Sequence, residues 1–223
     1  MKATQTWPNP LLVERAESAF FKRFASMPQH LAQAPGRVNL LGEHVDYTGG
    51  LVLPIAIDRW TLAAAAMTSA RSSHLRAEDL NEECVFDVQH ALVPVRAPSK
   101  QFANHVLGVL SGFEPYGFLR GQLNLLVTGS IPPGAGLSSS ASLEVATVRA
   151  CEGFYGMRLD ALDAAKIAQH AEHAFVGTPC GMMDMLVSAA AVPDHALLID
   201  CTSMSQTPVA LPPSDELGIM IVD

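Results

Sequence analysis

Apolar residues recur along the chain at two different spacings, which predict helices in some segments and strands in others. Leu12, Ala16 and Phe20 follow one another at steps of four residues, so they lie on one face of a helix that begins near Pro10. By contrast, QLNLLVTG (122–129) is a short apolar run that ends at a glycine, a pattern typical of a strand. The same reasoning predicts helices at 101–112, 139–156, 160–176 and 181–191, and strands at 60–68, 84–88, 195–200 and 217–222.

The order of these elements predicts a mixed α+β fold. Between residues 34 and 58, turn residues alternate with apolar stretches, which predicts a strand, a loop and another strand. The chain has 223 residues, of which 49% are hydrophobic, and this is enough to bury a substantial core. The final residues, ELGIMIVD, stop inside an apparent strand, so we expect the native protein to continue beyond them.

The net charge, the cysteine spacing and the amino terminus limit which partners and which cellular location are expected. The net charge of −8 argues against a nucleic-acid or anionic-membrane surface as the main partner, because both require clusters of Lys and Arg. It permits a nucleotide in a small pocket, where backbone amides and a metal ion outweigh the overall charge. The four cysteines form no C-x-x-C pair, and the amino terminus lacks the apolar core of a signal peptide. We therefore expect reduced thiols and a cytoplasmic protein that binds neither nucleic acid nor a membrane.

The stretch GSIPPGAGLSSSAS (129–142) is predicted to hold an anion. Gly134 and Gly136 permit positive φ angles and a close approach of the backbone to a ligand. The three serines at 138–140 then lie where a helix begins, so that unpaired N–H groups and the helix dipole face the loop. The lysine of the commonest phosphate loop is absent. The alternative is an ordinary strand-to-helix turn capped by serine.

Phosphoryl transfer also needs a metal ligand and a group that activates the acceptor, and two acids are candidates. Glu172 lies on the predicted helix 160–176, and Asp184 lies in a short apolar helix behind a glycine. The alternatives are a solvated helix carboxylate for Glu172 and a first-turn carboxylate favoured by the helix dipole for Asp184. His170 and His173 are three positions apart, but no H-E-x-x-H motif is present, so we do not expect a zinc site.

A further motif, GRVNLLGEHVDYTGG (36–50), has the composition of a loop that binds a ligand with many hydroxyls, such as a sugar. Between its glycines lie Arg37, Glu43, His44, Asp46 and Tyr47. Carboxylates accept hydrogen bonds from sugar hydroxyls, and arginine and histidine donate them. A hairpin with charged turn residues explains the glycines, but it does not explain the density of hydrogen-bonding groups.

Together these motifs resemble the galactokinase family. GRVNLLGEHVDYTGG is similar to the galactokinase signature, and PPGAGLSSSAS to a loop shared with homoserine and mevalonate kinases. AEHAFVGTPCGMMDM is similar to a third motif, and all three stand in the family's order. The resemblance implies an α+β fold, with a GHMP-kinase N-terminal domain (ribosomal protein S5 domain 2-like) at 31–200 after a helical segment at 1–30. Residues 201–223 would begin a carboxy-terminal ferredoxin-like domain that is largely absent from this chain.

The resemblance also implies roles for individual residues in binding galactose, ATP and Mg²⁺. Asp184 would be the catalytic base toward the anomeric hydroxyl, with Arg37 beside it. Galactose would contact Arg37, Glu43, His44, Asp46, Gly181 and Asp184, and Mg²⁺ would be held by Ser140 and Glu172. The phosphates of ATP would be cradled by Pro133, Gly134, Ala135, Gly136, Leu137, Ser138, Ser139, Ser140 and Ala141.

The implied chemistry is physically consistent, and two alternatives stay open beside it. A carboxylate that accepts the hydroxyl proton assists attack on the γ-phosphorus, and an adjacent guanidinium favours its ionised form. One alternative is a kinase for N-acetylgalactosamine or arabinose, and the other is a non-enzymatic sensor of galactose and ATP. Sensor relatives lack the Ser–Ala pair that this chain has at Ser140 and Ala141. Met185 and Ala191 depart from the residues common in the family. We expect a monomer, and little activity from the isolated chain.

Overall fold

The computed structural model describes residues 9–117, 119, 121–132, 134–213 and 215–220. The helices in these ranges are α1 (Pro10–Phe24), α2 (Ala103–Gly112), α3 (Ser139–Tyr155), α4 (Ala161–His170) and α5 (Met183–Ala190). The strands are β1 (His30–Asn39), β2 (Leu51–Val52), β3 (Pro54–Thr68), β4 (Ser73–Ala77), β5 (Glu82–Phe86), β6 (Gln122–Gly129), β7 (His195–Asp200) and β8 (Ser205–Ala210). Three short 3₁₀ turns occur at Asp46–Thr48, Pro98–Lys100 and Glu114–Tyr116, and a π-helical segment, Ala171–Val176, follows α4 directly.

All eight of these strands join one sheet, whose centre is β3. The order along the sheet is β2-β7-β3-β6-β4-β5, with β1 paired to β3 and β8 paired to β7. Strand β1 lies antiparallel to β3 over most of its length, and β6 lies antiparallel to the second half of β3. Strands β4 and β6 are parallel. The mixture of a largely antiparallel sheet with packed helices is the α+β architecture expected from the sequence.

The central strand is buried on both faces because its side chains alternate between two separate clusters of apolar residues. Ala63 and Ala65 belong to the larger core, which α2, α3, α4 and α5 cover. Leu62 and Ala64 face the opposite side and belong to a smaller cluster. The run of alanines in β3 leaves room for helices to pack closely on the sheet, and both faces are covered as in a three-layer arrangement.

Helix α1 supplies the cover on the second face. Leu12, Ala16 and Phe20 are 6%, 0% and 0% exposed and pack against Trp60 and Leu126. These are the residues that the four-residue spacing places on one face, so the predicted amphipathic helix is confirmed. None of the helices in the described ranges is long and apolar enough to cross a lipid bilayer.

Two segments near the carboxyl end differ from the sequence prediction. Residues 217–220 form no strand, and residues 221–222 of the predicted strand lie outside the described ranges. The backbone turns at Pro213, whose carbonyl accepts from the amides of Glu216 and Leu217. A strand that was not predicted, β8, pairs with β7, and its sequence SQTPVA lacks an apolar pattern. Pro208 is tolerated in β8 because one side of an edge strand is unpaired.

A close backbone contact joins α2 to the π-helical segment Ala171–Val176. A Cβ built on Gly108 of α2 would lie 2.5 Å from the Cα of Ala171, at the start of the π-helical segment. Glycine therefore lets the two backbones touch. As a result, α2 and the π-helical segment are held at a separation that side-chain repacking cannot change.

Candidate active site

Arg37 and Asp184 form a two-pronged ion pair between residues that are 147 positions apart in sequence. Nε of Arg37 donates to Oδ1 of Asp184 at 2.7 Å, and Nη2 donates to Oδ2 at 2.5 Å. Their side chains are 16% and 27% exposed, so the pair is partly buried and still reached by solvent. Paired bonds of this type fix the orientation of the carboxylate as well as its position.

The elements that carry this pair are anchored to β1 by two buried serines. Ser142, on α3, donates to the carbonyl of Ala34 at 2.7 Å, and Ser188, on α5, donates to the carbonyl of Pro35 at 2.8 Å. The pairing of β1 with β3 shifts register between Pro35 and Arg37. Such a bulge re-aims the next side chain, and bulges are common beside active sites. The bulge thus lies where the two helices and the arginine meet.

The glycine-rich loop is fastened to β1 at the same point. Nη1 of Arg37 donates to the carbonyl of Gly136 at 2.8 Å, and the backbone amide of Arg37 donates to the carbonyl of Leu137 at 3.2 Å. A Cβ on Gly36 would lie 2.6 Å from that same carbonyl oxygen of Leu137. One arginine therefore holds both the acid and the loop, and the absence of a side chain at Gly36 allows the loop to approach.

Ser138 connects the loop to the acid instead of capping the helix. Its Oγ donates to Oδ2 of Asp184 at 2.5 Å, and it makes no capping hydrogen bond to α3. Its backbone has φ 57° and ψ 46°, a left-handed conformation that costs energy for a residue other than glycine. This contradicts the alternative of an ordinary serine-capped turn. Because Ser138 bonds to Asp184, the first amides of α3 have no side-chain cap, as an anion-binding helix end requires.

The loop itself is open on its outer side. Gly134 and Gly136 have φ of 76° and 70°, and a Cβ on either would have no neighbour within 4 Å. Ser139 and Ser140 begin α3 and line an adjoining cavity of about 460 Å³. Pro133, which the sequence placed in the phosphate loop, lies outside the described residues.

The cavity beside the loop has the size and lining of a small-molecule pocket. Leu80, Phe102 and Val127 contribute apolar surface to its wall. The carboxylate of Asp79, which also lines it, accepts from the amide of Gly129 at 2.7 Å. Pockets of several hundred Å³ with apolar walls and a few fixed polar groups are typical of ligand sites.

The polar loop after β1 carries the residues that the sequence predicts to bind a sugar. Asn39 donates through Nδ2 to Glu43 at 2.9 Å, and His44 is exposed with a left-handed φ of 56°. The carboxylate of Asp46 contacts the backbone of Gly181, because a Cβ built on this glycine would overlap it. Gly181 comes three residues before Asp184, so the short segment that contacts the polar loop also carries the acid.

Two family descriptions match the two halves of this site. The galactokinase galactose-binding signature matches residues 18–67, which include Arg37 and Asp46. The GHMP kinases N terminal domain matches residues 104–191, which include the glycine-rich loop and Asp184. The chain therefore resembles the GHMP kinases over these two segments. The resemblance to galactokinases and the predicted fold of the GHMP-kinase N-terminal domain are confirmed.

Solved structures of kinases share the fold of this chain. The Lactococcus lactis galactokinase complexed with galactose is 25% identical with a TM-score of 0.78, over 89% of this chain and 52% of that chain. The Methanococcus jannaschii mevalonate kinase is 21% identical with a TM-score of 0.68, over 84% and 57%. A Streptococcus pneumoniae phosphomevalonate kinase in complex with phosphomevalonate and AMPPNP is 19% identical with a TM-score of 0.59, over 78% and 51%. The chain thus spans about half the length of each of these structures.

A group of three ionisable side chains lies beside the same cavity, and the sequence analysis missed two of them. Glu172, on the π-helical segment, lies with His105 of α2 and Glu144 of α3, and the donor atoms of the three are within 4.8 Å of one another. Glu144 stands among Leu143, Val145 and other apolar residues of α3, which was the available signal. A carboxylate in an apolar stretch of a packed helix is seldom a surface group.

Burial and neighbouring charge both act on these groups. Burial, followed by the charges of Glu172 and Asp184, raises the pKa of Glu144 well above its ordinary value. Burial lowers the pKa of His105. Burial is also the largest cause that raises the pKa of the Cys180 thiol to about 12. Four acids add to that shift through their charges: Glu172, Glu144, Asp184 and Asp46. Acids from two of the three motifs, together with Glu144 of α3, therefore lie near the Cys180 thiol.

The residues expected to hold Mg²⁺ fit such an ion. Glu172 is 5% exposed, and a buried carboxylate of this kind needs a cationic or hydrogen-bonding partner. Ser140 and His105 line the same cavity, and His105 is next to Glu172. Hydroxyl and carboxylate oxygens are the ligands that Mg²⁺ prefers, with water and phosphate oxygens completing its shell. Ser140 and Glu172 thus offer oxygen donors of the type that Mg²⁺ prefers, and Ser140 stands at the start of α3, beside the glycine-rich loop.

Proposed function

We propose that the protein containing this chain is a cytoplasmic, monomeric galactokinase, which transfers the γ-phosphoryl group of ATP to the anomeric hydroxyl of galactose. The observation that carries the proposal is the ion pair of Arg37 and Asp184, which is bonded to the glycine-rich loop through Gly136 and Ser138. An acid, a cation and a phosphate loop joined in this way bring the acceptor and the phosphoryl donor to one place.

Asp184 is the base of the proposed reaction. Its carboxylate accepts the proton of the anomeric hydroxyl while the hydroxyl oxygen attacks the γ-phosphorus, and ADP leaves with the electron pair of the broken P–O bond. The bonds from Arg37 and Ser138 hold the carboxylate toward the loop. The guanidinium also stabilises the negative charge that develops in the transition state.

The loop from Pro133 to Ala141 binds the phosphates of ATP. Uncapped amides at the start of α3 and the dipole of this helix favour negative charge there, which explains how the loop works without a lysine. The cavity lined by Phe102, Leu80 and Val127 receives the nucleoside. Ser140 and Glu172 hold Mg²⁺, which neutralises charge on the phosphate oxygens when it is bound.

The polar loop and Gly181 bind galactose. Glu43, His44 and Asp46 present acceptors and donors for the sugar hydroxyls, and the backbone of Gly181 lies against Asp46. The galactose-binding signature at residues 18–67 and the galactose complex of the Lactococcus lactis galactokinase support this acceptor.

We expect Gly181→Ala to raise the KM for galactose by about 10- to 100-fold, because the added methyl displaces the Asp46 carboxylate from its position. The KM for ATP stays close to that of the unchanged protein, since the three atoms nearest to the added methyl all belong to Asp46. The matched control is Gly218→Ala, where a Cβ would meet nothing within 4 Å. Equal KM values for galactose in the two variants would remove Gly181 from the sugar site.

A related acceptor and a sensor are the competing functions. The first keeps the same chemistry with another monosaccharide, such as N-acetylgalactosamine or arabinose. The second binds galactose and ATP without turnover. The intact Ser140–Ala141 pair and the bonded Arg37–Asp184 pair favour catalysis over sensing.

A coupled assay of ADP release tests the proposal on the longest form of the protein that contains this chain, with the 223-residue chain beside it. The panel holds galactose, glucose, N-acetylgalactosamine and arabinose, each with ATP and Mg²⁺. We expect the highest kcat/KM with galactose, and little activity from the 223-residue chain. A higher kcat/KM for another sugar would identify that sugar, rather than galactose, as the acceptor. Binding of galactose and ATP without ADP release would support the sensor.

A further inference from the structure

Three donor groups from three different elements meet beneath the phosphate loop. His105, Glu144 and Glu172 offer one imidazole nitrogen and two carboxylate oxygens within 4.8 Å of one another. Nδ1 of His105 lies 2.8 Å from Oε1 of Glu144. Donor atoms around one divalent ion lie about 2.0 to 2.2 Å from it, so two of them are at most about 4.4 Å apart, and small side-chain movements bring the three groups within that limit.

The carboxylate of Glu144 adds a second, independent observation. Glu144 is 0% exposed, and its Oε2 accepts no hydrogen bond from any of the described residues. Buried polar atoms without a partner are uncommon in folded proteins, and a second carboxylate next to this one increases the cost. A divalent cation bound between Glu144 and Glu172 satisfies the oxygen and offsets both charges at once.

The backbone holds the three groups in place. Gly108 of α2, three residues after His105, lies against Ala171, which directly precedes Glu172. Glu172 itself lies on the π-helical segment, and such irregular turns are frequent at functional sites. Because the helices touch through backbone atoms, the separation of His105 and Glu172 does not depend on flexible side chains alone.

We propose that His105, Glu144 and Glu172 form a protein-only site for a divalent first-row transition metal ion, such as Co²⁺, Mn²⁺ or Zn²⁺, in the nucleotide-free chain. The imidazole of His105 makes the site prefer these ions to Mg²⁺, because nitrogen donors favour transition metal ions, whereas Mg²⁺ prefers an all-oxygen shell. The inference rests on the proposed function only through Glu172, which this site shares with the proposed Mg²⁺ ligands. His105 also lines the cavity that contains Ser140, so the bound ion lies beside the phosphate loop.

Titration of the tag-free chain with Co²⁺ tests the site, with no nucleotide or sugar present. Visible absorption follows the bound ion, and competition with Mg²⁺ and Zn²⁺ gives the preference. We expect His105→Phe, Glu144→Gln and Glu172→Gln each to raise the Kd for Co²⁺ by at least about 10-fold. We also expect Co²⁺ to raise the thermal midpoint of the unchanged chain more than that of any of the three variants.

His90→Phe is the matched control. His90 and Asp87 form a histidine–carboxylate pair with the same 2.8 Å separation, but its histidine side chain is 80% exposed. No third acid, histidine or cysteine within the described residues joins that pair as a metal-binding group. We therefore expect His90→Phe to bind Co²⁺ as tightly as the unchanged chain.

The outcomes separate this inference from the proposed function. Co²⁺ binding no tighter than that of Mg²⁺, or equal Kd values for His105→Phe and the unchanged chain, would overturn the site even in an active galactokinase. Loss of Co²⁺ binding in the three variants would support it even if no sugar is phosphorylated. Circular dichroism checks the fold of each variant, and His105→Gln replaces His105→Phe if the latter does not fold.

Discussion

Asp184→Asn is expected to lower kcat for galactose phosphorylation by about 10²- to 10⁴-fold, the usual contribution of a general base. The carboxylate accepts from Nε and Nη2 of Arg37 and from Oγ of Ser138. An asparagine of the same shape keeps one oxygen, but it cannot take the proton of the sugar hydroxyl. The Kd for ATP, measured by calorimetry, stays nearly unchanged because the amides at the start of α3 are intact.

The control for this variant is Asp163→Asn. Asp163 also stands in the first turn of a helix, α4, and it pairs with a cation, Lys166, at 2.9 Å. It lies away from the Arg37–Asp184 pair, so its loss leaves kcat unaltered. Turnover by Asp184→Asn at the rate of the unchanged protein would remove Asp184 from the mechanism.

Much of the fold was predictable because burial leaves a periodic pattern in the sequence. Strand β6 occupies Gln122–Gly129 as expected from its apolar run, and α1 buries the residues of one helical face. Helix α4 begins after Asp160, whose side chain accepts from the amide of Asp163 as an N-cap. In each case the local sequence carries both the element and its limits.

Elements whose signal is not apolar could not be predicted in this way. Strand β8 is polar and depends on pairing with β7, a contact that no local pattern records. The segment Ala171–Val176 continues the expected helix but widens into a π-helix, and Gly108 lets the backbone of α2 lie against it. Neither the strand pairing nor this helix contact can be read from the local sequence.

In the site, too, features that depend on local sequence were predictable, and contacts between distant residues were not. The loop glycines and the acidic candidates were visible in the sequence, whereas the contact of Arg37 with Asp184 was expected only from the family resemblance. The left-handed Ser138, which bonds to Asp184 instead of capping α3, had no local signal. His105 was missed because its partners, Glu144 and Glu172, come from other elements.

These contacts give the arginine a central position in the site. The anchors of α3 and α5 to β1, Ser142 and Ser188, each stand four residues after a member of the hydrogen-bonded Ser138–Asp184 pair, whose acid is bonded to Arg37. Each helix therefore presents its first turn to the same point on the strand. A change of Arg37 affects the loop and the acid together, whereas a change of either helix affects one of them.

Arg37→Lys is accordingly expected to lower kcat by about 10²- to 10³-fold, the range for loss of a transition-state donor, although the positive charge is kept. An ammonium cannot bond at the same time to both oxygens of Asp184 and to the carbonyl of Gly136. We also expect the KM for ATP to rise, because the loop loses its side-chain anchor. Arg76→Lys is the matched control, since Arg76 is likewise 16% exposed and bonds to a carboxylate, Glu78, at 2.8 Å, but on β4. Steady-state kinetics decide the matter: equal kcat values for the two variants would show that charge alone suffices at Arg37, and that its fork of hydrogen bonds does not contribute to catalysis.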